Sequence, residues 1–442
     1  MTRLALCADF GSTFTKVLAI DLDRGRLLGT AEHRTTIDTD VLDGLTAAQA
    51  ELGVAGPYET TLACSSAGGG LRLAVVGYER VVSAEAGRRV ALSAGARVVQ
   101  VTAGALDDAG VRDVRASRPD VVLLVGGTDG GDTRVILHNA DRIARAELGI
   151  PVVVAGNLDA QEVACGALRT AGTNAIACAN VLPDIGEIAA TPARLAIRQV
   201  FLSHVIAGKR LSAGPAFVEM VRAATPDAVL AGVELLADEL GSDLLVVDVG
   251  GATTDVYSVV LPQGEDAALR REVVQPMWRG RTVEGDLGMR WGATGTVEAA
   301  AAERLPVDDT LRRAAQARVA DPGWVPQTPA ELADDRRLAT LAATVAVRRH
   351  ARPADDGSAG KDLRAAVLLI GSGGVLRHAD PAAAQQVLGA ILDDARGGWQ
   401  RPEHAVSTVD TDYVLAAAGL LAESYPDVGR ALLRRYLVDR RH

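Results

Sequence analysis

The sequence predicts an α/β protein of two related lobes facing a cleft, with a further α/β subdomain inserted in the first lobe. The main observation is a repeat. Residues 3–8 and 244–249 both read as buried strands, and each carries the chain through an Asp into a glycine turn with Ser or Thr and then a second strand. Internal similarity of this kind points to a duplicated fold. Between the two copies, short apolar runs alternate with helical periodicity, the pattern of a parallel sheet. Composition agrees. Only 3% of the 442 residues are aromatic, so the cores must come from Ala, Val and Leu, which suits helices packed on parallel strands. At about 100–200 residues per domain, the length allows roughly two to four compact units.

The elements follow in order. Residues 3–8, 17–21 and 27–32 read as three strands, and the first two with their polar glycine turn make a hairpin able to wrap a phosphate. Residues 120–125 (DVVLLV) form a continuous apolar run ending in Gly126-Gly127-Thr128-Asp129-Gly130-Gly131. A helical stretch over 135–148 and a strand over 151–155 follow, with a short strand at 174–177. Such a β-loop-α-β unit implies locally parallel strands. Residues 191–206 have helical periodicity. Residues 227–240 have it more strongly, with Val229, Leu230, Val233, Leu236 and Ala237 apolar. Thr225 is placed to cap that helix, Pro226 suits its first turn, and Gly241 ends it. Residues 244–249 (LLVVDV) are a central strand, and 256–260 its hairpin partner. Residues 308–352 are largely helical, broken at 321–329 by Pro and Gly. A polar loop over 352–361, a strand over 366–370, and helices over 380–395 and 413–423 complete the chain.

Three loops carry candidate chemistry. The first is Asp9-Phe10-Gly11-Ser12-Thr13-Phe14-Thr15-Lys16, and the second is Asp248-Val249-Gly250-Gly251-Ala252-Thr253-Thr254-Asp255. A polyphosphate is anionic and wants donors around it. Glycine lets backbone N–H groups come close because no Cβ intervenes. Hydroxyls of Ser12, Thr13, Thr15, Thr253 and Thr254 add donors, and Lys16 is a compact cation suited to a β- or γ-phosphate. Asp9 and Asp248 could hold waters of a Mg²⁺ ion, which keeps most of its hydration shell, and Asp248 could orient an attacking water. The third loop, Gly371-Ser372-Gly373-Gly374, lacks Asp and Lys and would suit a flat uncharged group such as adenine. Taken singly, a D-x-G-x-T turn reads as a tight hairpin, and the third loop as an ordinary strand-to-helix turn. The repetition is what favours a shared nucleotide.

The formal charge of −10 disfavours a nucleic-acid role, which needs a basic surface. The basic end over 430–442 reads as a terminal helix with cations near its C-terminal dipole. Cys7, Cys64, Cys165 and Cys178 form no C-x-x-C pair, which argues against zinc and fits reducing cytoplasm. Asp9 interrupts the apolar start too early for a signal peptide, and no uncharged apolar run approaches the ~20 residues of a membrane helix.

The order of the three loops resembles the phosphate-one, phosphate-two and adenosine motifs of the actin, sugar kinase and heat-shock chaperone superfamily. That resemblance implies a two-lobed, ribonuclease H-like fold binding ATP and Mg²⁺. The helix starting at Thr225-Pro226-Asp227 looks like the superfamily's first connecting helix, and 413–423 (YVLAAAGLLAE) like the second, with small residues for a close crossing. Heat-shock chaperones carry a Glu at the start of the first helix. Thr225 stands at the matching position here, which implies slow hydrolysis or reliance on Asp248 and Asp9. More specifically, the chain resembles the MutL or GlmL accessory proteins encoded with adenosylcobalamin-dependent glutamate mutase, unrelated to the mismatch-repair protein of that name. The resemblance rests on the Asp9–Lys16 loop, on Ser65-Ser66-Ala67-Gly68-Gly69-Gly70-Leu71, and on Leu124-Val125 with the 126–131 glycine loop. It continues in Asn180-Val181-Leu182-Pro183 and in Val283-Glu284-Gly285-Asp286-Leu287-Gly288.

The family implies an ATP-dependent reactivating factor that exchanges damaged cofactor on such a mutase, with the insert as the natural partner-binding unit. Glu284 and Asp286 read either as facing the nucleotide's metal or as an exposed acidic turn. Neither nucleic acid nor a membrane is expected as a partner, and an oligomer stays open. The expected organisation is a first lobe over 1–74, an insert over 75–181, and the first lobe continued over 182–243. The second lobe covers 244–410, and the second connecting helix with a C-terminal helix covers 411–442 and returns to the first lobe. Two other readings fit the same superfamily: a small-molecule kinase, which needs a catalytic base for a substrate hydroxyl and for which Asp248 is the one obvious candidate, and a non-enzymatic actin-like scaffold.

Overall fold

The structure, a computed structural model, describes residues 2–67, 71–80, 82–94, 96–206, 208, 211–260, 279–353, 360–395 and 398–439. Gly68, Gly69 and Gly70 of the family motif and residues 354–359 of the expected polar loop lie outside the described residues. The chain divides into two compact units. The first is built from Met1–Ala231 and Ala416–Val428, the second from Gly232–Leu261, Trp278–Leu415 and Gly429–His442.

In the first unit, β1 (Leu4–Phe10), β2 (Phe14–Asp21) and β3 (Arg26–Arg34) form an antiparallel meander, and β4 (Thr60–Ser65) lies parallel to β1 on its other side. β1 is apolar up to Asp9 because both its faces are covered. Leu6, Ala8 and Phe10 share a core with Val41, Leu45 and Ala48 of the helix Val41–Leu52. On the other face, the Cys7 thiol lies 3.9 Å from the Ala417 carbonyl. Burial pushes that thiol's pKa up to about 12. Asp40 caps the helix by accepting from the Leu42 N–H, and Gly53, at φ 68, closes it.

The chain then builds a second sheet from β5 (Arg72–Gly77), β6 (Arg97–Ala103), β7 (Val121–Leu124), β8 (Val152–Val154) and β9 (Ala175–Ala177). All are parallel, in the order β6-β5-β7-β8-β9, a doubly wound arrangement whose direction of winding reverses between β5 and β7. β10 (Val221–Ala224) returns to pair parallel with β4 and completes the first sheet as β10-β4-β1-β2-β3.

The second unit repeats that first sheet. β11 (Leu244–Val249), β12 (Thr254–Val259) and β13 (Arg279–Glu284) form an antiparallel meander. β14 (Leu368–Ser372) and β15 (Val406–Val409) add in parallel beyond β11. The order is β13-β12-β11-β14-β15, strand for strand that of the first sheet. One ribonuclease H-like sheet occurring twice, with a doubly wound insert in the first copy, is the actin-like ATPase fold. Helices Ala293–Ala302, Asp309–Ala320 and Pro329–Ala351 supply the second unit's core, and a capping box between Thr328 and Glu331 starts the longest. Buried Arg318 pairs with Asp335 at 2.5 Å and stacks over Trp324. Among the described residues no helix is long and apolar enough to cross a membrane.

Each sheet ends in a helix that follows its last parallel strand, Thr225–Leu240 after β10 and Val414–Leu421 after β15. They meet at Gly232, where a Cβ would stand 2.1 Å from the Leu415 carbonyl oxygen. Asp410 caps the second helix, accepting from the N–H groups of Val414 (2.7 Å) and Leu415 (3.0 Å), and its burial raises its pKa to about 6.

Three stability predictions concern Gly232, Gly389 and Asp410. Gly232→Ala should lower unfolding free energy in urea by roughly 1–3 kcal/mol, since overpacking must push the helices apart. Gly389→Ala, in the helix Pro381–Leu392 with no described atom within 4 Å, should instead raise it by about 0.5–1 kcal/mol. Asp410 titrates above its unfolded value near 4, so its stabilising contribution is full below that value and is lost as pH rises through about 6. Asp410→Asn removes that contribution. The stability gap between the two proteins should therefore narrow from about pH 4 to about pH 6.5, and an unchanged gap would contradict the shift.

Candidate nucleotide-binding loops

The first hairpin pairs Asp9 with Lys16 and Phe10 with Thr15 across β1 and β2. Its turn is closed by the Gly11 N–H donating to the Phe14 carbonyl at 3.1 Å. A Cβ on residue 11 would lie 2.6 Å from that oxygen, so the turn requires glycine. Ser12 is exposed at the tip, and Thr13 and Phe14 are half-buried. Thr35, just past β3, holds the turn from behind. Its N–H donates to the Thr13 carbonyl (2.9 Å) and its hydroxyl to the Gly11 carbonyl (2.8 Å). From the other side, the N–H groups of Ser66 (2.9 Å) and Ala67 (3.0 Å) donate to the Phe10 carbonyl.

The Asp9 carboxylate is only 2% exposed. Its Oδ2 takes Lys16 Nζ at 3.3 Å. Its Oδ1 accepts from the Thr225 hydroxyl at 2.5 Å and from the Cys64 thiol at 3.4 Å. Cys64 sits in register with Asp9 on β4. Burial, and then the charge of Asp9, push that thiol well above its usual pKa, so it stays protonated and donates. Lys16 remains 21% exposed, within reach of a ligand at the turn.

The second hairpin has the same construction. Asp248 pairs with Asp255 and Val249 with Thr254. The Gly250 N–H donates to the Thr253 carbonyl at 2.9 Å, and a Cβ there would lie 2.8 Å from it. Asp255 occupies the place of Lys16, and its carboxylate is held at 2.6 Å by the buried guanidinium of Arg281 on β13. The N–H groups of Met289 (3.0 Å) and Arg290 (2.8 Å) hold the Gly250 and Gly251 carbonyls, doing for this turn what Thr35 does for the first. Gly288 must be glycine, since its Cβ would meet the Gly251 and Ala252 backbone at 2.7 Å. Arg290 runs on to Asp335 at 3.1 Å and so ties the turn to the helical layer. Trp291 stays 51% exposed, its ring 3.3 Å from where a Cβ of Gly251 would stand.

The third loop leaves β14 beside Asp248, in register with Ser372. Gly373 has φ 96, and a Cβ there would lie 2.1 Å from the Val249 carbonyl and 3.0 Å from Asp248 Oδ1. Gly374 has no described atom within 4 Å of its Cβ position and opens the short helix Gly374–Arg377.

The structure distributes the sequence-predicted residues unevenly. Ser12, Thr13, Lys16, Gly251, Ala252 and Gly374 lie at accessible positions of their loops. Thr15 and Thr254 instead point into the sheets. Thr15 lies 3.2 Å from the Thr35 hydroxyl, while the buried Thr254 hydroxyl has no such partner among the described residues. The Thr253 hydroxyl donates to Asp255 (3.2 Å), and Gly371 faces Leu376 and Leu388. The Thr225 hydroxyl donates to Asp9. Glu284 and Asp286 jointly clamp Arg349, each at 2.8 Å. The 126–131 loop spends its polar groups internally. Asp129 accepts from the Leu158 N–H and the Asn180 amide, and the Asn157 amide donates to the Gly131 carbonyl. Cys64, Thr35, Arg281 and the 289–291 segment escaped sequence reasoning. Gly288 and Gly292 beside Trp291 were the available signal there; for Cys64, Thr35 and Arg281 only the strand pairing brings them to the loops.

The MutL protein family model matches residues 5–437. Protein MutL of Clostridium tetanomorphum is 35% identical over 458 aligned positions, covering 98% of this chain and 99% of that protein. Among solved structures, nucleotide-free acetone carboxylase is 13% identical with a TM-score of 0.38, covering 96% of this chain and 70% of that one. The ATP-dependent caprolactamase of Pseudomonas jessenii is 16% identical with a TM-score of 0.38, at the same two coverages of 96% and 70%. Matched along almost its whole length by both the family and a full-length relative, the chain belongs to the MutL protein family.

Proposed function

We propose that this protein binds and hydrolyses ATP and uses the cycle to reactivate an adenosylcobalamin-dependent mutase of the glutamate mutase kind, promoting exchange of damaged cofactor. The observation that carries the nucleotide reading is the repeated turn: Gly11 and Gly250 close the same hydrogen-bonded loop at the end of the same strand in two copies of one sheet. Both turns need a bare glycine, and both present an accessible tip, Ser12 in one and Ala252 in the other. At each turn by itself the donors fit a polyphosphate: the hydroxyls of Ser12 and Thr13 with the ammonium of Lys16 at the first, and the backbone at Gly251 and Ala252 at the second. Gly374 leaves room beside the third loop for adenosine.

In this reading Lys16 binds phosphate and stabilises charge on the transferred group, while Asp248 accepts a hydrogen bond from the attacking water and orients it. Among the described residues no three His, Cys, Asp or Glu side chains gather to hold a metal. A Mg²⁺ ion would be held by phosphate oxygens and water, and Asp9 at the first turn or Asp248 at the second would contact its waters. The ion would neutralise charge on the phosphates. Membership of the MutL family supports the accessory role towards a mutase. A nucleotide can drive such a role only by binding one conformation of the protein better than another.

Lys16→Ala and Asp248→Ala should each reduce phosphate release from ATP by about 10²-fold or more, with circular dichroism unchanged. Undiminished turnover in both would remove these loops from the mechanism. Cofactor-inactivated mutase should regain activity only with both this protein and ATP present. A phosphorylated metabolite formed in their place would identify a small-molecule kinase.

A further inference from the structure

The first hairpin holds a carboxylate whose two oxygens have different surroundings. Oδ2 of Asp9 faces the turn: it meets Lys16, and a Cβ at Gly11 would stand 3.8 Å from it. Oδ1 faces inward, to the Thr225 hydroxyl and the Cys64 thiol. A thiol is a weak donor, and at 3.4 Å it constrains the carboxylate little. The hydroxyl at 2.5 Å is the strong contact.

Its donor is itself fixed. Thr225 is the first residue of the helix Thr225–Leu240, directly after β10. Two residues on, buried Asp227 is gripped by Arg198 at 2.7 Å and Arg194 at 3.6 Å, both from the helix Ala190–Val200. The opening turn is therefore anchored, and its N-terminal dipole adds to the attraction for a carboxylate.

We propose that Thr225 is a positioning residue: its hydroxyl locks Asp9 through Oδ1, so that Oδ2 stays turned towards Lys16 and the water shell of a nucleotide-bound Mg²⁺. This rests on the ATP reading above. A side chain at this position that cannot donate would leave a buried carboxylate oxygen without its strong partner, and Asp9 would turn away from the loop to find one.

The test is a nucleotide-binding titration of the full chain by calorimetry, with ATP in Mg²⁺ and again in EDTA. Thr225→Val keeps the shape and removes the hydroxyl. It should weaken ATP binding in Mg²⁺ by about tenfold or more, the worth of a charge-assisted hydrogen bond, and change binding in EDTA far less. Thr225→Ser should restore the Mg²⁺-dependent part, and Cys64→Ala should cost less than Thr225→Val. If Thr225→Val does not fold, Thr225→Ala removes the same hydroxyl and is read in the same way. Equal losses with and without Mg²⁺, or no rescue by Ser, would reduce Thr225 to a structural contact and overturn the proposal. Asp9→Asn separates the two levels of the argument. If it abolishes the Mg²⁺ dependence while Thr225→Val binds like wild type, only the positioning role fails. If Asp9→Asn itself binds ATP normally in Mg²⁺, the ATP reading of this hairpin fails, and Thr225 has nothing to position.

Discussion

A carboxylate taken almost wholly out of water must be met by donors, and Asp9 imposes that requirement at the end of a central strand. Lys16 comes from the next strand, Cys64 from the parallel neighbour, and Thr225 from 216 residues away. Much of the first unit's topology serves this meeting. β4 has to run parallel to β1 for Cys64 to come into register, and β10 has to run parallel to β4 to deliver the connecting helix at the same end. The doubly wound insert occupies the chain between those two strands without disturbing either.

The two hairpins share a backbone but not an electrostatic plan. In the first, a cation and an anion face one another across the strands. In the second, Asp248 and Asp255 are directly paired, an arrangement that like charges disfavour. Arg281 relieves it from the third strand. Burial works against the guanidinium, but Asp255 and Tyr257 outweigh that and raise its pKa. One Asp is thus buried against Lys16, Cys64 and Thr225, while the other keeps a half-buried setting beside a glycine. Two like residues with unlike surroundings are suited to unlike tasks.

Much of this was legible in the sequence because it rests on local patterns. The strands over 4–10 and 244–249 are continuous apolar runs, and Gly11 and Gly250 are demanded by turn geometry alone. β10, β13 and β15 were not legible. β10 is VRAA and β15 is VSTV, four residues each with no alternation to read, and β13 begins Arg-Gly-Arg. Those strands exist because neighbours offer an edge to pair with. The same limit explains the side chains. Nothing within a few residues of Thr225 tells that its hydroxyl will leave its own helix for Asp9, and nothing near Thr15 or Thr254 tells which face of the sheet they take. Nor does anything near Glu284 and Asp286 tell that Arg349, over sixty residues later, closes on both.

Of the four tryptophans, Trp324 and Trp399 are stacked under guanidinium groups, at 4.6 Å and 5.3 Å from the ring centroids. Trp291 is different: half its surface is in water, and its ring lies beside Gly251 of the second turn. The emission colour of an indole follows the polarity around it. Any molecule settling on that turn displaces water from the ring and shifts its fluorescence, so the protein carries an intrinsic optical reporter for that loop, with no label attached.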